Sequence, residues 1–326
     1  MSEHFIKNIE IKNFKCFDNF KAEGFGRVNL IGGKNNVGKT AFMEACSIII
    51  RPNDNNFANF ISLLQIENNR RLLNVSKENN LKNILDIFAK YKNISIQSND
   101  KIFTIEYKEK GLKQEYILNR KFTVANEALE GKFKFDNKIN INNDFIFIPS
   151  SYIDDNLITS MYDKIKANRN KPKFNKLLRD FDKNIDEFDI LYDKPQVFLN
   201  SIKSFQNISE SGDGLKKYIL IIASILISKD ACLFLDEIEN GIHYSNLDKL
   251  WEIILTISKD QNVQVFATTH SKECIESYVR VAKRLEDEEI RFIELGRDDD
   301  NKITSIVYEY NEIINQVEQH QDIRGW

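Results

Sequence analysis

The feature that most restricts this chain is the stretch 28–40, Val-Asn-Leu-Ile-Gly-Gly-Lys-Asn-Asn-Val-Gly-Lys-Thr. An apolar run (Val28, Leu30, Ile31) stops at Gly32 and Gly33, and Gly38, Lys39 and Thr40 come shortly after. The spacing G-x-x-x-x-G-K-T lies between an expected strand and an expected helix over 41–50, which is the setting in which this pattern wraps a phosphate group. Glycines let the backbone turn its N–H groups inward, and the helix that begins there adds the positive end of its dipole. A glycine turn before an ordinary helix is the competing reading, and it leaves the match on both flanks unexplained. Gly33, Asn35, Asn36, Val37, Gly38, Lys39, Thr40 and Ala41 are therefore the expected nucleotide-contacting set. Lys39 can reach the β- and γ-phosphates of ATP, and the Thr40 hydroxyl can hold Mg²⁺.

Bulk properties exclude several classes. The 326 residues, 42% of them hydrophobic, suffice for one large or two ordinary domains with a sizeable core. No apolar run reaches the length of a bilayer, and the start, Met-Ser-Glu-His-Phe-Ile-Lys, lacks the pattern of a signal peptide. A net charge of -3 means that any nucleic-acid contact must be a local patch. Cys16, Cys46, Cys232 and Cys274 form no C-x-x-C pair, which argues against zinc and for reduced thiols in a cytoplasmic protein.

Along the chain, residues 5–11 read as a first strand, and a short strand or turn leads to Val28. After the 41–50 helix an Asn-rich segment and a helical pattern run to about Tyr91. Alternation then takes over at Ile94, Ile96, Phe103, Ile105, Tyr107, Tyr116 and Leu118. Residues 94–148 read as an antiparallel sheet closed by 145–148, and 152–209 as mostly helical. Within the latter, 164–179 hold seven basic residues and no acid. They suggest a DNA- or RNA-facing patch. A solvated surface neutralised by Asp154, Asp155, Asp163, Asp180 and Asp182 is the favoured alternative.

The second half alternates strand and helix, the signature of a parallel sheet with right-handed crossovers. Gly212 and Gly214 open a helical run, and the apolar strand 231–235 ends in Asp236-Glu237. A helix over 245–258 follows, and the strand 263–267 ends in Thr268-Thr269-His270-Ser271. A helix and a terminal hairpin (290–295 and 303–308) come last. Ligands of such sheets bind beyond the carboxyl ends of the strands, so the phosphate loop, Asp236, Glu237 and His270 can converge. Asp236 is placed to hold Mg²⁺ beside Thr40. Glu237, on alternating extended backbone, would point elsewhere and orient or deprotonate the attacking water. His270 can hydrogen-bond the γ-phosphate or the water. An Asp-Glu pair at a strand end is by itself more often a helix cap, and a lone His is more often structural. The phosphate loop in the same chain reverses the first preference, and position at the next strand tip carries the second.

These motifs resemble the ABC-type ATPase core shared by SMC and RecF proteins and the OLD family. The likeness rests on Gly33-x-Asn35-x-x-Gly38-Lys39-Thr40, Ser211-Gly212-Asp213-Gly214 and Leu235-Asp236-Glu237. It rests also on Glu239-Asn240-Gly241-Ile242-His243, Thr269-His270-Ser271 and the opening Ile11-x-Asn13-Phe14-Lys15-x-Phe17. The chain is most similar to bacterial single-domain "AAA family" ATPases of the OLD type, some of which act in phage defence. The fold so implied is an α/β P-loop NTPase of ABC ATPase-head type. It would combine a mixed, largely parallel core sheet with an antiparallel β subdomain and a helical lobe. One domain over 1–326 is expected, with a nucleotide lobe to about 150, a helical lobe over about 151–215 and a third lobe over about 216–326.

The resemblance further implies a head-to-tail homodimer that sandwiches two ATP molecules. Ser211, Gly212 and Gly214 of one subunit would contact the γ-phosphate held by the other, and the loop 239–243 would line the interface. The signature turn departs from the usual L-S-G-G-Q. The Mg²⁺-binding glutamine has no clear counterpart, with Gln65 one candidate and the turn Pro149-Ser150-Ser151 following a better strand without a glutamine.

Three functions compete. The first is a nucleotide-gated ATP hydrolase that regulates a separately encoded effector, a nuclease or toxin, or a nucleic-acid transaction. The second is an intrinsic nuclease, for which the residues after Ser271 are too few to hold the Toprim domain of full-length OLD proteins. Asp298-Asp299-Asp300 reads as a hairpin turn. The third is an ATP-dependent DNA clamp supported by 164–179 alone. A transporter ATPase fits poorly, because about 170 residues separate Thr40 from Ser211.

Overall fold

The structure, a computed structural model, describes residues 5–50, 93–99, 101–110, 113–118, 122–125, 145–150, 155–210 and 212–319. Strands β1 (Asn8–Phe14), β2 (Phe17–Glu23) and β3 (Val28–Gly33) lead into helix α1 (Lys39–Ile49). Next come β4 (Asn93–Ser98), β5 (Lys101–Lys110), β6 (Lys113–Leu118), β7 (Phe122–Ala125) and β8 (Phe145–Ile148). Helices α2 (Asp155–Ala167) and α3 (Lys171–Phe181) precede β9 (Ile185–Leu191), β10 (Lys194–Leu199) and β11 (Ser204–Asn207). Then follow α4 (Asp213–Ile227), β12 (Cys232–Leu235), α5 (Leu247–Asp260), β13 (Gln264–Thr268), α6 (Lys272–Leu285), β14 (Ile290–Arg297), β15 (Ile303–Tyr308) and α7 (Tyr310–Glu318).

The core sheet has the order β15-β14-β3-β13-β12-β8. Every neighbouring pair in it is parallel except β14 with β15. Its central strands are buried on both faces, which is why they read as continuous apolar runs. Alternate residues serve two layers. Val28, Leu30, Leu233, Leu235, Val265 and Ala267 join the cluster filled by the helices α2 to α7. Ile31, Cys232, Phe234 and Phe266 join a second cluster with α1 and the antiparallel strands β1, β2, β4 and β5. Phe266 is its hub, stacked on Phe234 at 5.5 Å and edge-on to Phe25 at 5.7 Å.

The antiparallel sheet runs β2-β1-β4-β5-β6-β7. It therefore recruits the two N-terminal strands as well as the alternating segment after Ile94. Two expectations need correction. The strand 145–148 does not close this sheet but is the edge of the core sheet, parallel to β12 with Phe147 opposite Phe234. Its pattern Phe-Ile-Phe-Ile suits a strand buried on both sides. Within 152–209 the described α-helices are α2 and α3, ending at Phe181, and 185–207 form a three-stranded antiparallel sheet, β11-β10-β9. There Ile185, Phe188 and Val197 are buried at strand spacing, a short alternation that the surrounding charges obscure. The helical pattern expected over most of 51–91 lies outside the described residues.

The bases of the strands are tied together. The buried Arg27 guanidinium donates to Asp287, to Glu289 at 3.1 Å and to the Leu255 carbonyl at 3.1 Å. Gln264 accepts from the Ile6 N–H and donates to the Ile6 carbonyl, both at 2.8 Å. These bonds fix the register of β3, β13 and β14, and so align the opposite ends, where the candidate site lies.

Candidate functional site

The loop from Gly33 to Lys39 leaves β3 and enters α1 directly. Gly33, Asn36 and Gly38 take positive φ values of 140°, 61° and 104°. A Cβ on Gly33 would lie 2.5 Å from the Leu295 carbonyl oxygen, and one on Gly38 would lie 2.7 Å from Cys16 Sγ. Both glycines are thus demanded by conformation and by contact. Lys39 is nearly buried, and its ammonium folds back to donate to the carbonyls of Gly33 at 2.7 Å and Lys34 at 3.0 Å. Burial lowers its pKa, while Glu237, Glu239 and Asp236 pull it back up. The ammonium therefore sits in the field of three carboxylates, which favours its charged form against the cost of burial.

The second half of the site comes from β12 and β13. Asp236, one residue past β12, is 4% exposed. Its Oδ1 accepts from Thr40 Oγ1 at 3.1 Å and from Thr268 Oγ1 at 2.8 Å. Thr268 Oγ1 in turn accepts from the Glu237 N–H at 2.8 Å. One chain of hydrogen bonds thus links the first turn of α1, the end of β12 and the end of β13. The Thr40 hydroxyl and the Asp236 carboxylate are hard oxygen donors 3.1 Å apart, a donor set suited to Mg²⁺.

Glu237 is separated from Asp236 by a different device than the expected alternation. The strand ends at Leu235, and Glu237 sits in the left-handed region at φ 46°. That conformation costs a non-glycine residue on the order of 1 kcal/mol or more and is concentrated at functional sites. From there the chain turns tightly, with Asn240 N–H donating to the Glu237 carbonyl and Ile242 N–H to that of Glu239, each at 2.9 Å. His270 lies just beyond β13, half-exposed, with its N–H donating to Glu239 Oε1 at 3.1 Å.

Lys39, Thr40, Asp236, Glu237 and His270 all lie at the carboxyl edge of the adjacent strands β3, β13 and β12. Gly212 is exposed with φ 88°, and Gly214 packs so tightly on the loop 239–243 that a Cβ would meet the Gly241 carbonyl oxygen at 1.9 Å. The head of α4 and that loop are therefore packed together at Gly214 and Gly241. Ser211 and Gln65 lie outside the described residues. Ser150, in the turn after β8, accepts from Asn240 Nδ2 at 3.2 Å through its carbonyl.

Two contributors escaped the sequence reading. In the sequence Thr268 is one polar residue at a strand tip, with nothing local to single it out. Lys217, 2% exposed on α4, donates to the carbonyls of Pro149 at 3.0 Å and Asp236 at 2.9 Å. Burial brings its pKa down to about 8 against the pull of Asp236, Glu237 and Glu239. Its signal was present: Lys217 shares a helix face with the apolar Leu220 and Ile221.

The basic run 164–179 is partly spent within the chain. Lys166 pairs with Asp163 at 3.0 Å, Lys171 with Glu187 at 2.7 Å and Asp189 at 2.6 Å, and Arg179 with Asp186 at 3.7 Å. Among the described residues no group of His, Cys, Asp and Glu suits a metal cluster, and no helix is long and apolar enough to cross a membrane.

A family model described as "AAA domain, putative AbiEii toxin, Type IV TA system" matches residues 28–276. An "ATP/GTP phosphatase" of Helicobacter pylori is 26% identical over 321 positions, covering 83% of this chain and 86% of that protein. Among solved structures, the SmcHead bound to the C-winged helix domain of ScpA aligns over 95% of this chain and 99% of that one. Its TM-score is 0.54 at 13% identity. An Smc head domain with an extended coiled coil, bound to a ScpA domain derived from Pyrococcus furiosus, aligns over 97% and 99%. Its TM-score is 0.52 at 11% identity. The fold is that of an ABC-type ATPase head, as the motifs led one to expect.

Proposed function

We propose that this chain, which belongs to the AAA-domain family whose model spans residues 28–276, binds ATP with Mg²⁺, hydrolyses it, and pairs with a second copy in response to nucleotide. The observation that carries the reading is the hydrogen-bonded set Thr40–Asp236–Thr268 beside the phosphate loop and Lys39. In this reading the loop N–H groups and Lys39 hold the β- and γ-phosphates. Thr40 and Asp236 hold the Mg²⁺, which neutralises phosphate charge when bound. Glu237 orients or deprotonates the attacking water, and His270 meets the water or the γ-phosphate.

Pairing through a shared nucleotide is supported by the contact between Gly214 and Gly241, which presents the signature turn and the loop 239–243 together. Tyr244, directly after that loop, is 69% exposed. Such an aromatic suits a protein interface. Control of a separately encoded nuclease or toxin, in phage defence, is the physiological role we attach to this cycle, in line with the toxin system in the family's description. The DNA-clamp alternative is weakened by the internal ion pairs of Lys166, Lys171 and Arg179.

The test is Lys39→Ala. Loss of one preorganised charge-stabilising contact costs about 2.7–4 kcal/mol of barrier, so ATP turnover should fall by a factor of about 100 to 1,000. Phosphate release at the wild-type rate by this variant would overturn the assignment.

A further inference from the structure

We infer that Glu239 is a positioning residue for His270: it holds the imidazole in the tautomer with the proton on Nδ1, leaving Nε2 as a hydrogen-bond acceptor for the attacking water. The inference rests on the proposed ATPase reading of His270 and settles which of its two partners it takes.

Three observations lead to it. Glu239 Oε1 accepts one hydrogen bond from the His270 backbone N–H at 3.1 Å and lies within ion-pair distance of the ring, 3.5 Å from Nδ1. A carboxylate facing one ring nitrogen selects the tautomer that donates to it. Glu239 is also the only ion-pair partner that the described residues offer this ring.

The third observation concerns the cost of the arrangement. Glu239 Oε2 is buried and has no hydrogen-bond partner among the described residues. A carboxylate oxygen so placed opposes folding, since buried polar groups are ordinarily satisfied. The cations that feel its charge, Lys39 and Lys217, belong to the site itself. On the other side its charge faces the buried Cys274 thiol, whose pKa is raised first by burial and then by Glu239. A glutamine would fill the same space without the buried charge, so stability alone gives no reason for an acid here. A charge directed at His270 does give one.

The chain has four histidines, His4, His243, His270 and His320, so nitrogen-15 spectra of the imidazoles can be assigned by comparison with His270→Gln. In the wild-type protein at neutral pH, His270 should show a protonated Nδ1 and an unprotonated Nε2. In Glu239→Gln the two tautomers should mix. Steady-state kinetics should show kcat lowered about tenfold or more in Glu239→Gln with KM for ATP little changed, as when an orienting partner is lost. The double variant should be no slower than His270→Gln alone. A wild-type His270 protonated on Nε2, an imidazolium, or a tautomer unmoved by Glu239→Gln would overturn the inference. Independent, multiplicative losses in the double variant would overturn it too. Unchanged hydrolysis in His270→Gln would instead sink the catalytic reading of His270 and leave the tautomer assignment standing on the spectra.

Discussion

At the scale of single residues the site is governed by close approach. Gly214 shows this most sharply, because the Gly241 carbonyl occupies the space where any larger residue would put its Cβ. Gly214→Ala must displace the loop 239–243, an overpacking that typically costs about 1–3 kcal/mol. Since Gly214 lies at the head of α4, away from the core strands, we expect a folded protein with a modestly lowered Tm. Its ATP-dependent association and turnover should both fall severalfold. Wild-type association would show that the loop tolerates the shift. The residues of the phosphate loop, Asp236, Glu237 and His270 were legible because each follows an apolar run that fixes its place at a strand end. Thr268 and Lys217 were not, because a threonine in a strand and a lysine in a helix are ordinary. Only the partners that folding brings to them give them a role. The left-handed turn at Glu237 was equally hidden, since no glycine marks it.

At the scale of elements, the strand–helix alternation of the second half follows directly from patterning. Helix α6 carries its own punctuation: Ser271 accepts from the Cys274 N–H at 3.1 Å, and Lys283 and Arg284 lie in the last turn. The strand β8 was legible as a strand but not as a core strand. Its partner β12 lies more than eighty residues later, and no local pattern encodes such a pairing. Helices α5 and α6 make a further prediction. Arg280 forks onto Asp248 with bonds of 2.6 and 3.0 Å, and Ser277 donates to the same carboxylate at 2.6 Å. The Arg280 hydrogen bond, partly opposed by burial, holds the Asp248 carboxyl below its ordinary range. Its stabilisation is therefore complete above the ordinary carboxylate pKa near 4 and disappears as pH falls through the lowered folded value. The pair is partly exposed and screened, so Asp248→Asn should cost about 1 kcal/mol at neutral pH. Urea melts at pH 7 should separate the variant from wild type, and melts well below pH 4 should bring them together. A gap that persists in acid would mean that the carboxylate charge is not the cause.

At the scale of the whole molecule, the ABC-head fold presents the candidate site at the carboxyl edge of one sheet, with Gly214 and the loop 239–243 packed together. Glu237→Gln should bind ATP without consuming it and accumulate the paired state. Light scattering with and without ATP–Mg²⁺ should then show the mass double on nucleotide addition. A mass that ignores nucleotide would place any assembly elsewhere, in a standing complex within which ATP acts.

The order of the core sheet also has a meaning in time. The strand β3 has as neighbours β13 and β14, which lie more than two hundred residues later. Closing such loops is slow, because their entropy is lost before any pairing compensates it. While the chain is being synthesised, the phosphate loop therefore waits on an unpaired strand. Thr40 and Asp236 meet only when β13 has been made and threaded between β3 and β12. The proposed nucleotide site is thus assembled only once β13 is in place, and a chain that stops short of that strand should not respond to ATP.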